Sequence, residues 1–213
     1  MRWYFAPLTL WLTFLNVEFT TLLRAIDYPV SSVAAFDNAL VSAAPGDTII
    51  WQNGTYLDHQ LVFLGNGASD LPITLRAETP GSVRFEREST LIINGSHLQV
   101  EGIHWIPGGI GATFPEEATV IFDRSSDQCR LTQSRIWVAS GIGHNFLQVS
   151  GTNHRIDHCN FGLKSNPKPM LAVDLKDLPI GTMAGHTIDS NHFSYFSKTV
   201  HNGFETIQLG SSS

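Results

Sequence analysis

The chain has 213 residues, 42% hydrophobic and 15% charged, with a formal net charge of −6. That composition argues against disorder and supplies enough apolar surface for a sizeable core. The acidic balance and the lack of a basic stripe exclude nucleic acid as a partner, but local charge in a cleft still leaves room for a polyanionic sugar.

Arg2 precedes WYFAPLTLWLTFLNV, residues 3–17, which carries no charge. The run is too short to span a bilayer comfortably. A basic residue ahead of a short apolar run predicts a secretory signal over residues 1–25; the alternative is an apolar helix packed on the domain. Removing residues 1–25 takes away Arg2, Arg24 and Glu18, leaving 11 basic and 18 acidic side chains, a net of −7. The mature chain, 26–213, is thus expected to be secreted or periplasmic, with no membrane contact after cleavage.

Residues 31–44, SSVAAFDNALVSAA, predict a short helix. A Ser cap precedes Val33, Phe36 and Leu40, which share a face at helical spacing, and Pro45-Gly46 stops it. Beyond it every element reads as strand. DTIIWQNGTY is strand, Asn-Gly turn, strand, and LPITLRAETPG is a strand ending at Pro80-Gly81. The abundance of Gly, Pro, Asn, Ser and Thr supports an all-β protein of short strands.

Four segments superimpose: LQVEGIHW (98–105), RLTQSRI (130–136), RIDHCNF (155–161) and TIDSNHF (187–193). Val100, Leu131, Ile156 and Ile188 form one column, and Trp105, Ile136, Phe161 and Phe193 another, five residues on. Gly102, Ser134, Cys159 and Asn191 lie between them. The spacings are 31, 25 and 32 residues. One short strand cannot bury its apolar face alone, but stacked coils make a continuous core. The expected architecture is a right-handed parallel β-helix, with ladders of like residues and Asn amides bonding one another at the turns. The helix at 31–44 would cap its N-terminal end. A β-sandwich is the alternative, but it does not explain the columns.

The varying period points to loops inserted at one corner, PGGIGATFPEEA (107–118) and GLKSNPKPM (162–170), where binding function usually resides. Lys164 and Lys168 sit in the second, as cations for a carboxylated sugar or as solvated charges. Glu205, in NGFETIQLG, interrupts an otherwise apolar strand and either binds a cation or sugar hydroxyls, or faces water. The glycine clusters GNG and GGIG lack a dinucleotide-site context. The nine histidines show no HExxH motif, and His158 reads as a turn member. Asn53-Gly54-Thr55 and Asn94-Gly95-Ser96 are formal glycosylation sequons that also read as turns. No Ser/His/Asp set is marked by spacing. Cys129 and Cys159 fall at different repeat positions and have no metal-ligand spacing, so buried free thiols are expected.

These residues also carry a family resemblance. VSSVAAFDNALVSAAPGDTIIWQNGTY, LPITLRAETPGSVRF, LIINGSHLQVEGIHW, CRLTQSRI, VSGTNHRIDHCNFGLKS and HNGFETIQLG run in order over residues 30–210. The chain resembles the polysaccharide lyases that include alginate lyases and chondroitinase B, over their N-terminal part. The resemblance implies a parallel β-helix, export, and cleavage of uronate-containing polysaccharide, alginate or a glycosaminoglycan, by β-elimination. In that chemistry a bound Ca²⁺ neutralises the uronate carboxylate, a Lys removes the C5 proton and an Arg assists the leaving group. The resemblance places those ligands, that Lys and that Arg outside this chain. It therefore assigns no catalytic or metal-binding residue here, and implies that the chain by itself does not cleave.

By the same resemblance, Lys164 matches the Lys of a GKT loop and Glu205 the Glu of NGGETIR. Both are expected to contact substrate, as is Gln208. Gln208 replaces that segment's Arg, so an amide stands where a bidentate, charged pair with carboxylate would form. The second Gly is likewise replaced, by Phe204. A non-catalytic carbohydrate-binding module and a truncated gene remnant are the alternative readings.

Overall fold

The computed structural model describes residues 24–109, 116–138, 143–164, 168–176, 178–179, 181–196 and 206–210. Most of the expected signal segment lies outside this range. So do much of the 107–118 loop and residues 165–167 of the 162–170 loop.

The described chain winds as a solenoid of three parallel sheets. Seven strands form the first sheet: Asp27–Val30, Thr48–Trp51, Ile73–Ala77, Leu98–Glu101, Arg130–Thr132, Arg155–Asp157 and Thr187–Asp189. The second contains Gly54–Leu57, Val83–Arg87, His104–Pro107, Arg135–Trp137, Asn160–Lys164 and His192–Phe196. The third contains Gln60–Asn66, Thr90–Ser96, Ala118–Phe122, Asn145–Val149, Leu171–Val173 and Ile207–Leu209. The chain passes from first to second to third sheet and back, so each strand pairs with the equivalent strand one coil away.

The predicted columns are ladders of direct neighbours. Leu131 pairs with Val100 and Ile156, and Ile156 with Ile188. Ile136 pairs with Trp105 and Phe161, and Phe161 with Phe193. Both ladders extend further toward the N-terminus than the four repeats, through Leu75, Ile49 and Tyr28 in one and Phe85 and Tyr56 in the other. Alternation sends these side chains inward, and Val100, Leu131, Ile156, Trp105 and Ile136 are fully buried. Each such side chain contributes roughly 1.5–3 kcal/mol. The rings of Trp51, Phe85 and Trp105 follow one another through the interior at 4.9 and 6.2 Å.

The helix spans Val33–Ser42. Ser32, with extended backbone, accepts from the Ala35 amide at 3.2 Å, as an N-cap should. Phe36 is buried against Trp51 and Phe63, so the helix covers the first coil's interior. Asp47 ties down the entry strand by accepting from the Ile26 and Ala44 amides.

The corners answer a geometric demand. A strand must leave one sheet and enter the next within two residues, which one left-handed residue achieves. Gly102, Gln133, His158 and Ser190 follow successive strands of the first sheet, and all have φ between 49° and 73°. Asn53-Gly54 is one of these inter-sheet corners, not a hairpin, because its flanking strands belong to different sheets. The expected amide-to-amide ladder is replaced. Side chains one residue beyond the corner bond the backbone of the preceding coil instead: Ser134 Oγ accepts from the Ile103 amide, and Asn191 accepts from the Cys159 amide while donating to the Ile156 carbonyl. A buried backbone group left without a partner is costly, and these side chains supply one.

Both cysteines are buried and unpaired. Burial pushes the Cys129 thiol up to about 11 and the Cys159 thiol up to about 12.

Candidate functional site

The loops 107–118 and 162–170 both join the second sheet to the third, at one corner of the solenoid. Lys164 ends the second-sheet strand there and is 1% exposed. Its ammonium donates to the Lys168 carbonyl. One coil away lies His144, buried, with Nε2 3.0 Å from Thr119 Oγ1 on the coil before. Burial, and then the Lys164 charge, lower His144 to about 4, so its imidazole is neutral beside the ammonium. Lys164 therefore shapes this corner from inside, while Lys168 is exposed.

Gln208 lies in the third sheet, in register with Ala172, Gln148, Ile121, Ile92 and Val62 of the preceding coils. This row alternates with the buried Leu171 and Val173, so it forms the sheet's outer face. An amide at that position can donate to and accept from sugar hydroxyls. Ile207 and Leu209 continue the inward ladder, and are 38% and 74% exposed. Glu205 and Phe204 lie outside the described residues. Lys164 and Gln208 thus occupy the same end of the solenoid, one inside a corner and the other on an outer face.

Among the described residues, no group of three or more His, Cys, Asp or Glu side chains is arranged to hold a metal ion.

Two clusters escape a reading by motif. The first is Thr119–His144–Lys164, whose members come from three coils and meet only after winding. The second is on the second sheet's outer face, where the Arg135 guanidinium lies 4.5 Å from the centre of the Trp137 ring. Alternation in Arg-Ile-Trp is the available signal, since it puts Arg135 and Trp137 on one side with Ile136 inward. The first sheet's outer face is ionic: Arg130 grips the buried Asp157 with two bonds of 2.7 and 2.6 Å, His158 approaches the same carboxylate at 2.7 Å, and Arg155 pairs with Asp189 at 3.0 Å. The Arg130 contact holds Asp157 down at about 2.

No curated protein matches the chain. Among solved structures, the PL6 family alginate lyase AlyGC is 32% identical, with a TM-score of 0.77 over 87% of this chain and 26% of that one. A mannuronic acid specific polysaccharide family 6 lyase from human gut microbiota is 28% identical, with a TM-score of 0.76 over 87% of this chain and 45% of that one. The polysaccharide lyase Pedsa3628 from Pseudopedobacter saltans, 24% identical, shares the fold at a TM-score of 0.74 over 85% of this chain and 41% of that one. The chain therefore spans less than half the length of each. Residues 30–213 match the family model of chondroitinase B, and the chain belongs to that family.

Proposed function

We propose that this chain forms the N-terminal coils of an exported lyase that cleaves uronate-containing polysaccharide, alginate above all, by β-elimination. The family match across residues 30–213 carries the reading, and the likeness to alginate lyases favours alginate among uronans. β-Elimination needs a base for the C5 proton and a positive group on the carboxylate, so that the enolate charge is held as it develops. In this reading the described coils bind and orient the polymer, and the proton-transfer groups and calcium ligands come from residues outside them. Gln208 hydrogen-bonds the sugar from the third sheet. Lys164 holds the corner that flanks it, and Glu205 belongs to the same binding segment.

The test is direct. The purified 213-residue chain, incubated with alginate and Ca²⁺, is expected to retain affinity for the polymer and to give no rise in ultraviolet absorbance from unsaturated ends. A clear rise would show that these residues contain the reaction centre. Failure to bind alginate or any other uronan would remove the assignment of substrate.

A further inference from the structure

The second sheet presents an outer row that runs along the solenoid: Arg84, His104, Arg135, Asn160 and His192, each in register with the next. Successive members lie about 4.8 Å apart, the spacing of paired strands. Among the described residues Arg24, Arg76 and Arg135 have no carboxylate partner, and of the three only Arg135 lies over an aromatic ring. Arg84 pairs with Glu86, Arg87 with Asp58, Arg124 with Asp174, Arg130 with Asp157 and Arg155 with Asp189. Among the described residues, no carboxylate pairs with Arg135. Its guanidinium is instead held over the Trp137 ring, a cation–π contact that restrains it while its N–H groups make no bond among the described residues.

The ring beneath it is itself fixed. The Trp137 indole N–H donates to Asn160 Oδ1 at 2.9 Å, and the His104 ring meets it edge-on at 6.3 Å. Gly162 makes room below, since a Cβ there would fall 2.9 Å from Ser194 Oγ and 3.3 Å from the indole nitrogen. Because Oδ1 of Asn160 is engaged by the indole, its NH₂ group points the other way and makes no bond among the described residues. A ring-held guanidinium and an amide NH₂ therefore sit on neighbouring rungs. Exposed long side chains usually cost entropy to order on binding, and here that cost is met in advance.

We propose that this face is a second, non-catalytic binding platform for uronate polysaccharide, with Arg135 taking a carboxylate in a bidentate grip and Asn160 the adjoining hydroxyls. The occupant is an extended acidic sugar chain laid along the solenoid axis, because a 1,4-linked pyranose advances by roughly one rung and offers one carboxylate per unit. The charge is complementary at Arg135, while Glu86 already occupies Arg84 two rungs away. The platform rests on the uronan reading above, but not on the third-sheet contacts of Gln208. It would hold the polymer while another stretch is worked on elsewhere.

Calorimetric titration of the whole chain with oligoguluronate, oligomannuronate and a neutral cello-oligosaccharide tests it. Both uronates are expected to bind and the neutral sugar is not. Arg135→Ala is expected to weaken uronate binding at least tenfold, and Arg135→Lys to recover only part, because a point charge cannot replace the fork. Asn160→Asp keeps the acceptor for Trp137 but sets a carboxylate beside Arg135, and is expected to weaken uronate binding at least tenfold while preserving the melting curve. Uronate affinity within twofold of wild type in both Arg135→Ala and Asn160→Asp overturns the platform. If Gln208→Ala alone removes binding, the uronan reading stands and this site falls. If the unaltered chain binds no uronate, both fall.

Discussion

Lowering the pH from 7 to 5 is expected to destabilise the fold through His154, a side chain with no exposure. Its ring is packed between Phe122 and His186, at 4.7 and 5.1 Å. Nδ1 accepts from the Cys129 amide at 3.1 Å, and Nε2 lies 3.0 Å from Ser126 Oγ. Only the neutral ring with its proton on Nε2 satisfies both contacts; a second proton on Nδ1 would point at an N–H. Burial, and then the neighbouring His186, lower His154 from 6.5 to about 4, with Asp127 and the backbone opposing in part. The unfolded chain thus takes up a proton near pH 6.5 that the folded chain refuses until about 4. Stability is complete above the unfolded value and falls as the pH drops through that window.

Taking those two values, His154 alone costs about 2 kcal/mol between pH 7 and pH 5, and about 3 kcal/mol once the folded form titrates. For a domain of this size, 2 kcal/mol corresponds to roughly 4–8 °C in melting temperature. Urea unfolding followed by circular dichroism at both pH values measures it. His154→Asn puts an acceptor near the position of Nδ1 and removes the titration. It is expected to be less stable at pH 7 but to lose about 2 kcal/mol less than the unaltered chain on acidification. Titrating groups that do not touch His154 contribute to both proteins alike and cancel, whereas His186 and Asp127, which feel the His154 charge, make the difference an order-of-magnitude figure. Equal losses in the two would refute the assignment.

Three other outcomes are expected. Asp157→Asn leaves the part-exposed Arg130 without its buried partner and should lower stability by about 2 kcal/mol at pH 7, read from the same urea curves; because the folded carboxyl titrates near 2 in place of 3.8, this contribution is complete above the ordinary value and is lost as the pH falls from there through about 2. A water-soluble disulfide reagent at pH 8 should label neither Cys129 nor Cys159 until denaturant is added, since both thiols are buried and titrate at about 11 and 12. Gln208→Arg should tighten binding of oligouronates by supplying a charged fork to the carboxylate, with affinity electrophoresis on alginate gels as the readout; unchanged mobility would move the third-sheet contact away from this position.

The ladders are legible in the amino-acid sequence alone, because they depend on local alternation repeated at each coil. Val100, Leu131, Ile156 and Ile188 share one chemistry for one reason: each must fill the same cross-section of the interior. The earlier coils are harder to see, since Tyr28, Ile49 and Leu75 sit in segments whose corners carry different residues. The capping helix is also written locally, in Ser32 and the spacing of Val33, Phe36 and Leu40. What the sequence does not supply is lateral position. Whether Lys164 faces solvent or the inside of a corner depends on contacts that its ammonium makes across the coil, such as that with the Lys168 carbonyl, and no periodicity encodes those. Stacking of like residues predicts that the Asn amides bond one another, yet Asn191 bonds backbone, because the left-handed corner residue turns the next side chain toward the coil before it. Arg135 and Trp137 are two letters apart in the chain, but the distance of Arg135 from the carboxylates of the neighbouring strands is set by inter-coil register. Alternation is a property of one strand, whereas the company a side chain keeps is a property of the stack.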